Sequence, residues 1–219
     1  MVILVCSCDK NQDLWAPFRH CLEKYWPGHP EVIYSTETVT NPFYKTICKN
    51  FPVEKFSKRI RETLAEIDDR AVLVMVDDIF IRQPVNTERV YDAERQLTGN
   101  IALLNFEKAW DDNFDDIGLN GFLRRKKGAT YEISFMCGLW DREKLMDILS
   151  TDMSPWQIEM ECDSKGYDYC VNSGDYIIDW GYRTFCNVGV MKGKWSREIV
   201  PFFEKEGIEM DYSIRGFYD

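Results

Sequence analysis

The chain has 219 residues, 45% apolar and 29% charged, a composition that suits one folded domain and excludes a disordered segment. A net charge of −10 at pH 7 repels nucleic acid backbones and anionic lipid, which excludes both as principal partners. No apolar run approaches the ~20 residues that a membrane-spanning helix requires.

Residues 2–7 form a continuous apolar run, the pattern of a strand buried on both faces of a parallel sheet. Residues 13–26 carry Leu14, Trp15, Phe18, Leu22 and Tyr25 at helical spacing, and Pro27-Gly28 stops the helix. A second short strand over 31–35 completes a βαβ opening. Residues 41–52, with Pro42 and Pro52, read as irregular. Phe56, Ile60, Leu64 and Ile67 lie on one stripe of an amphipathic helix over 56–67. Residues 71–76 are the strongest strand, and Asp77-Asp78 follow it directly. A helix over 86–97 ends near Gly99, and 101–106 is a further strand.

Residues 108–129 read as a surface insertion. An acidic stretch from Asp111 to Asp116 is followed by the basic Arg124-Arg125-Lys126-Lys127. Such runs form either a solvated face or a mobile loop near an acceptor or phosphate site. A strand is expected over 133–137 and a helix over 141–149, with Asp141 as its N-cap. Ser154-Pro155-Trp156-Gln157 has the capping-box spacing, with Pro in the first helical position, so a short helix starts there. A late strand over 183–191 leads into Lys192-Gly193-Lys194. With no internal repeat and no linker, the whole chain reads as a single α/β domain.

The eight cysteines contain no CxxC pair, and only two histidines are present, so the cysteines read as reduced core residues rather than metal ligands. The opening MVILVCSCDK lacks the basic region and cleavage site of a signal peptide, which points to a reducing, cytoplasmic location. The aromatic share of 14%, seven Trp included, suits a large core and equally a cleft for sugar rings or bases.

In an open parallel α/β sheet, ligands bind beyond the carboxyl ends of the strands. Ser7-Cys8-Asp9, Asp77-Asp78 and Lys192-Gly193-Lys194 are all expected at such ends. Neighbouring side chains point in different directions, so the two aspartates divide their roles more easily than they chelate one ion together. One can bind a divalent cation while the other accepts hydrogen bonds from sugar or ribose hydroxyls. The plainer reading is that they end the strand and cap a turn.

The stretch Val72-Leu73-Val74-Met75-Val76-Asp77-Asp78 resembles the acidic strand-end motif of GT-A glycosyltransferases, in which a DxD or a DD variant binds metal and nucleotide sugar. The preceding helix with Arg59 and Arg61 fits that layout. The segments from Ile133 to Trp140, from Ser154 to Glu159 and Gly193-Lys194-Trp195 look like those of short bacterial proteins associated with polysaccharide biosynthesis. The likeness spans roughly residues 1–195. It implies a GT-A-like fold, with a mostly parallel central sheet flanked by helices. It also implies a nucleotide-sugar donor, a glycan acceptor and a Mn²⁺ or Mg²⁺ cofactor.

By position, Asp78 would hold the metal and Asp77 would contact the donor sugar or ribose. Ser7, Asp9 and Arg59 would serve donor binding, and Trp156 would stack on an acceptor sugar. Glu159 would act as the general base of an inverting transfer, with Glu161 as a nearby competitor. Its plainer reading is an acidic residue favoured near a helix start. Lys192 and Lys194 would neutralise the leaving diphosphate, or else are two solvated lysines. No histidine follows His29, where many metal-dependent members supply one, so the metal site would be minimal. The competing readings are a nucleotidyltransferase on a related fold and a non-catalytic carbohydrate-binding protein. No Gly-rich phosphate loop of the P-loop or GxGxxG kind is present.

Overall fold

The computed structural model describes residues 1–181 and 188–218. The elements run β1 (Val2–Cys6), α1 (Gln12–Tyr25), β2 (Val32–Thr36), β3 (Lys45–Cys48), α2 (Phe56–Leu64), β4 (Ala71–Val76), α3 (Thr87–Gln96) and β5 (Ile101–Lys108). They continue with β6 (Phe114–Asp115), β7 (Phe122–Arg125), β8 (Cys137–Asp141), α4 (Arg142–Ile148), α5 (Pro155–Glu161) and β9 (Asp168–Asn172). A hairpin of β10 (Val190–Met191) and β11 (Lys194–Trp195) precedes α6 (Val200–Glu206).

Nine of these strands form one sheet in the order β3-β2-β1-β4-β8-β5-β9-β7-β6. All run in one direction except β8 and β7, which pair antiparallel with their neighbours. The chain is therefore an α/β protein with a large, mostly parallel central sheet flanked by helices. Alternation of side chains along each strand explains the two cores. Ile3 and Val5 of β1 and Leu73 and Met75 of β4 face a core shared with α1, α3 and α6. Leu4, Val72 and Val74 face the opposite core, closed by α2, α4 and α5. Each such fully buried side chain contributes about 1.5–3 kcal/mol, so these continuous apolar runs belong inside.

The central strand β8 separates β4 from β5. Gly138 makes that fit: a Cβ there would lie 2.5 Å from Leu103 Cδ1 and 3.2 Å from Asn105 Cα. Trp140, fully buried two residues later, fills the space on the same face.

Several expectations change here. The irregular region over 41–52 contains β3, an edge strand whose only buried residue is Ile47. The apolar run from 133 does not start its strand until Cys137, because Ile133 and Phe135 are buried in irregular backbone. The insertion over 108–129 is partly integral: β7 pairs with β9, and Phe122 is buried. Its opposite charge runs neutralise each other, Arg125 bonding Asp111 and Arg124 bonding Asp115 across the β6–β7 hairpin. Of the late strand over 183–191, residues 183–187 lie outside the described residues, and Val190–Met191 form β10, outside the main sheet. The Asp141 cap and the Ser154–Gln157 capping box both form. Among the described residues no helix is long and apolar enough to cross a membrane.

Candidate active site at the carboxyl edge of the sheet

β1 and β4 lie side by side and end together, so Ser7 meets Asp77 across the sheet edge. The Ser7 hydroxyl donates to Asp77 Oδ2 at 2.5 Å and accepts from the Trp15 indole N–H at 2.8 Å. Asn11 Nδ2 donates to Asp77 Oδ1 at 2.9 Å. Asp77 is 2% exposed and Ser7 3%, so the pair is buried beneath the sheet edge. Burial first, and the neighbouring Asp78 charge second, push the Asp77 carboxyl up to about 7, against the pull of its two donors and of Arg215.

Asp78 differs. It is half-buried, and among the described residues no other side chain hydrogen-bonds its carboxylate. Burial pushes it up to about 6, opposed by its own backbone amide and by Arg215. Arg215 arrives from the segment after α6. It donates to Asp13 through Nε at 2.7 Å and Nη2 at 2.5 Å, and to Asn11 Oδ1 at 2.9 Å. That cation fixes the start of α1 beside both aspartates.

Asp9 and Arg59 are linked through Glu37. The Asp9 carboxylate accepts from the Thr38 amide at 3.1 Å, the Thr38 hydroxyl at 2.5 Å and the Val39 amide at 3.0 Å. Burial works against its ionised form, yet these bonds hold the carboxyl below its usual range. Glu37 accepts from the Asp9 amide at 2.6 Å and pairs with the buried Arg59. The network ties the ends of β1 and β2 to α2. Glu37 therefore takes up the guanidinium that the sequence reading assigned to substrate.

Further along the same edge, the ends of β5 and β9 and the approach to β8 enclose a cavity of about 300 Å³. Glu107, Glu132 and Glu159 line it, with Trp110, Tyr131 and Tyr169 among its aromatic walls. Glu159 Oε1 accepts from the Phe135 amide at 2.9 Å. Burial, and then the charge of Glu107, raise the Glu159 carboxyl above its ordinary value. Val188 also lines the cavity, and the next residue, Gly189, donates its amide to the Asp78 carbonyl at 2.8 Å. A Cβ on Gly189 would lie 2.2 Å from the Phe80 ring, so only glycine allows that approach. The Val188-Gly189 step thus connects Asp78 to the cavity.

The remaining predicted residues stand apart. Trp156 is 68% exposed on α5, outside the cavity that Glu159 of the same helix lines. Lys192 and Lys194 are exposed on the β10–β11 turn, not at a main-sheet edge, and the Lys192 ammonium lies 5.7 Å from the Tyr218 ring. Sequence reasoning missed Asn11, Glu37, Glu107 and Arg215. Glu107 had a signal, since it stands at the carboxyl end of a predicted strand; Arg215 had none.

Among the described residues no group of three or more His, Cys, Asp or Glu is placed to hold a metal ion. The donor set fits a divalent cation only through Asp78, with phosphate oxygens and water completing the shell, because both oxygens of Asp77 already accept internal bonds.

No family model matches the chain, and no curated protein matches it in sequence. Several solved structures are similar to it at low identity. The bifunctional IspDF from Campylobacter jejuni is similar at 10% identity over 80% of this chain and 50% of that one, with a TM-score of 0.44. S. aureus TarS, residues 1–349, is similar at 14% identity over 80% of this chain and 59% of that one, with a TM-score of 0.49. A cytidylyltransferase from Leptospira borgpetersenii is similar at 9% identity over 100% of this chain and 98% of that one, with a TM-score of 0.48. The chain thus spans 50% of the IspDF structure and 59% of the TarS structure.

Proposed function

We propose that this chain is a nucleotide-sugar-dependent glycosyltransferase of GT-A type, moving a sugar from a nucleoside diphosphate donor to a hydroxyl acceptor. One observation carries the reading. Asp78, with no side-chain partner among the described residues, opens at the carboxyl edge of the parallel sheet and connects through Gly189 and Val188 to a carboxylate-lined aromatic cavity. The donor diphosphate belongs at Asp78 and the acceptor in the cavity. A divalent cation bound through Asp78 would neutralise phosphate charge.

The chain's own groups do the rest. Asp77, Ser7 and Asn11 fix the strand end that presents Asp78. Glu159 takes the proton from the acceptor hydroxyl as its oxygen bonds to the anomeric carbon. The bond to the diphosphate oxygen breaks, and the electron pair leaves with the diphosphate. A carboxyl raised by burial is the stronger base for that step. A single displacement of this kind inverts the anomeric centre.

The test is thermal-shift titration of UDP, GDP, CDP and their sugar conjugates, with and without Mn²⁺. At least one nucleotide should raise the melting temperature, more so with Mn²⁺, and Asp78→Ala should abolish the metal-dependent part. Release of a nucleoside diphosphate from a sugar donor identifies the glycosyl transfer. Pyrophosphate released from a nucleoside triphosphate would identify a nucleotidyltransferase instead. Binding of free glycan with no nucleotide response would reduce the chain to a carbohydrate-binding module.

A further inference from the structure

We infer that the cavity accepts a ligand carrying an ammonium group beside its hydroxyls, with Glu107 as the group that recognises the charge. The inference deepens the transferase reading, on which the ligand's role as acceptor rests.

Charge complementarity carries it. Among the described residues Glu107 accepts only from neutral donors, Asn105 Nδ2 at 2.8 Å and the Ser134 hydroxyl at 2.8 Å. Glu159 accepts from a backbone amide. Among the described residues no lysine, arginine or histidine lies within 4.0 Å of either carboxylate. Glu132 adds a third negative group, which accepts from the Gly128 amide at 2.9 Å and has the Lys127 ammonium 4.0 Å away. That lysine is engaged elsewhere, with Asp168 at 3.3 Å.

Arg125 is the only cation among the described lining residues, and it is already committed. It bonds Asp111 at 2.8 and 3.1 Å and the Thr130 carbonyl at 2.6 Å, with Trp110 and Phe114 each 4.8 Å from its guanidinium carbon. Among the described residues, the cavity therefore holds two or three carboxylates whose charge no lining group cancels. Carboxylates withdrawn from water lose solvation that a bound cation restores. The aromatic walls add to the same preference, because ring faces attract cations. A phosphorylated or carboxylated acceptor is repelled by the same groups, and a neutral sugar leaves Glu107 without a counter-charge. At about 300 Å³ the space suits a single small ligand such as one amino sugar.

Calorimetric titration of the whole chain at pH 7.5 tests this with two matched pairs: glucosamine against glucose, and choline against its uncharged isostere 3,3-dimethylbutan-1-ol. The ammonium member of each pair should bind at least tenfold more tightly. Glu107→Gln should remove that preference while leaving the nucleotide response intact. Equal binding within the pairs, or no binding of glucosamine and choline to a protein that still binds nucleotide, overturns the inference and spares the transferase reading. Ammonium preference in a protein that binds no nucleotide upholds the cavity's selectivity and overturns the transferase reading.

Discussion

Replacing Asp77 with Asn tests whether the buried carboxyl is kept at a cost to the fold. An ordinary Asp titrates near 3.9 in an unfolded chain. In the folded protein Asp77 is pushed up to about 7, so the native state keeps a proton that the unfolded state has already lost between about pH 4 and 7. Stability must therefore fall as pH rises across that window, and the fall is complete above pH 7. Three pH units correspond to about 4 kcal/mol, an upper bound because Asp78 shares the effect. Asn keeps the shape. Its carbonyl can accept from Asn11 and its amide can donate to the Ser7 hydroxyl, at the cost of about 1 kcal/mol for the rearranged bonds. The variant should exceed the wild type by about 2–3 kcal/mol at pH 8, or roughly 5–10 °C in Tm for a chain of this size. Near pH 4 it should equal the wild type or fall about 1 kcal/mol below it. Urea unfolding at pH 4.5, 6 and 8 reads this directly. Parallel stability curves for the two proteins, or a variant that is less stable at pH 8, would refute the reasoning.

Glu159→Gln should lower turnover by about 10²–10⁴-fold with nucleotide binding unchanged, measured by donor consumption and thermal shift. The acidic limb of the wild-type kcat profile should lie above the ordinary carboxylate range and vanish in the variant. Near-normal turnover would remove Glu159 from the proton transfer. Gly138→Ala should destabilise the protein by about 1–3 kcal/mol in urea, because the added methyl meets Leu103 and the β5 backbone. A neutral result would mean that β8 has room to shift between its neighbours.

Much of the fold was legible because both-face burial writes itself as unbroken apolar runs. β1, β4 and β5 are such runs, and the local hydrogen bonding of Ser154 and Asp141 follows from residue type alone. β3 was hidden because a single buried residue in an edge strand leaves no period to read. β7 was hidden because its charges pair with those of the preceding stretch, a relation visible only once the hairpin closes. For the site, the sequence placed Ser7, Asp9 and Asp77 at strand ends. It could not say that these polar groups would satisfy one another. Ser7 accepts from Trp15, Asp77 accepts from Asn11, and Arg59 is held by Glu37; none of these pairings leaves a local signature. Arg215 reaches the same place from more than 130 residues away in sequence, beyond any spacing rule.

The strand β8 acts as a keystone. On one flank lie the strands that present Asp78, and on the other those that shape the cavity, so the two halves of the edge share one narrow seam. Under the proposed transfer, a lineage could recast the loops around Glu107 and Trp110 to suit a new acceptor and leave the half around Asp78 untouched. In the reverse direction, a disturbance confined to this seam would misalign the halves without damaging either, and the proposed transfer would lose the coupling between nucleotide capture and sugar delivery.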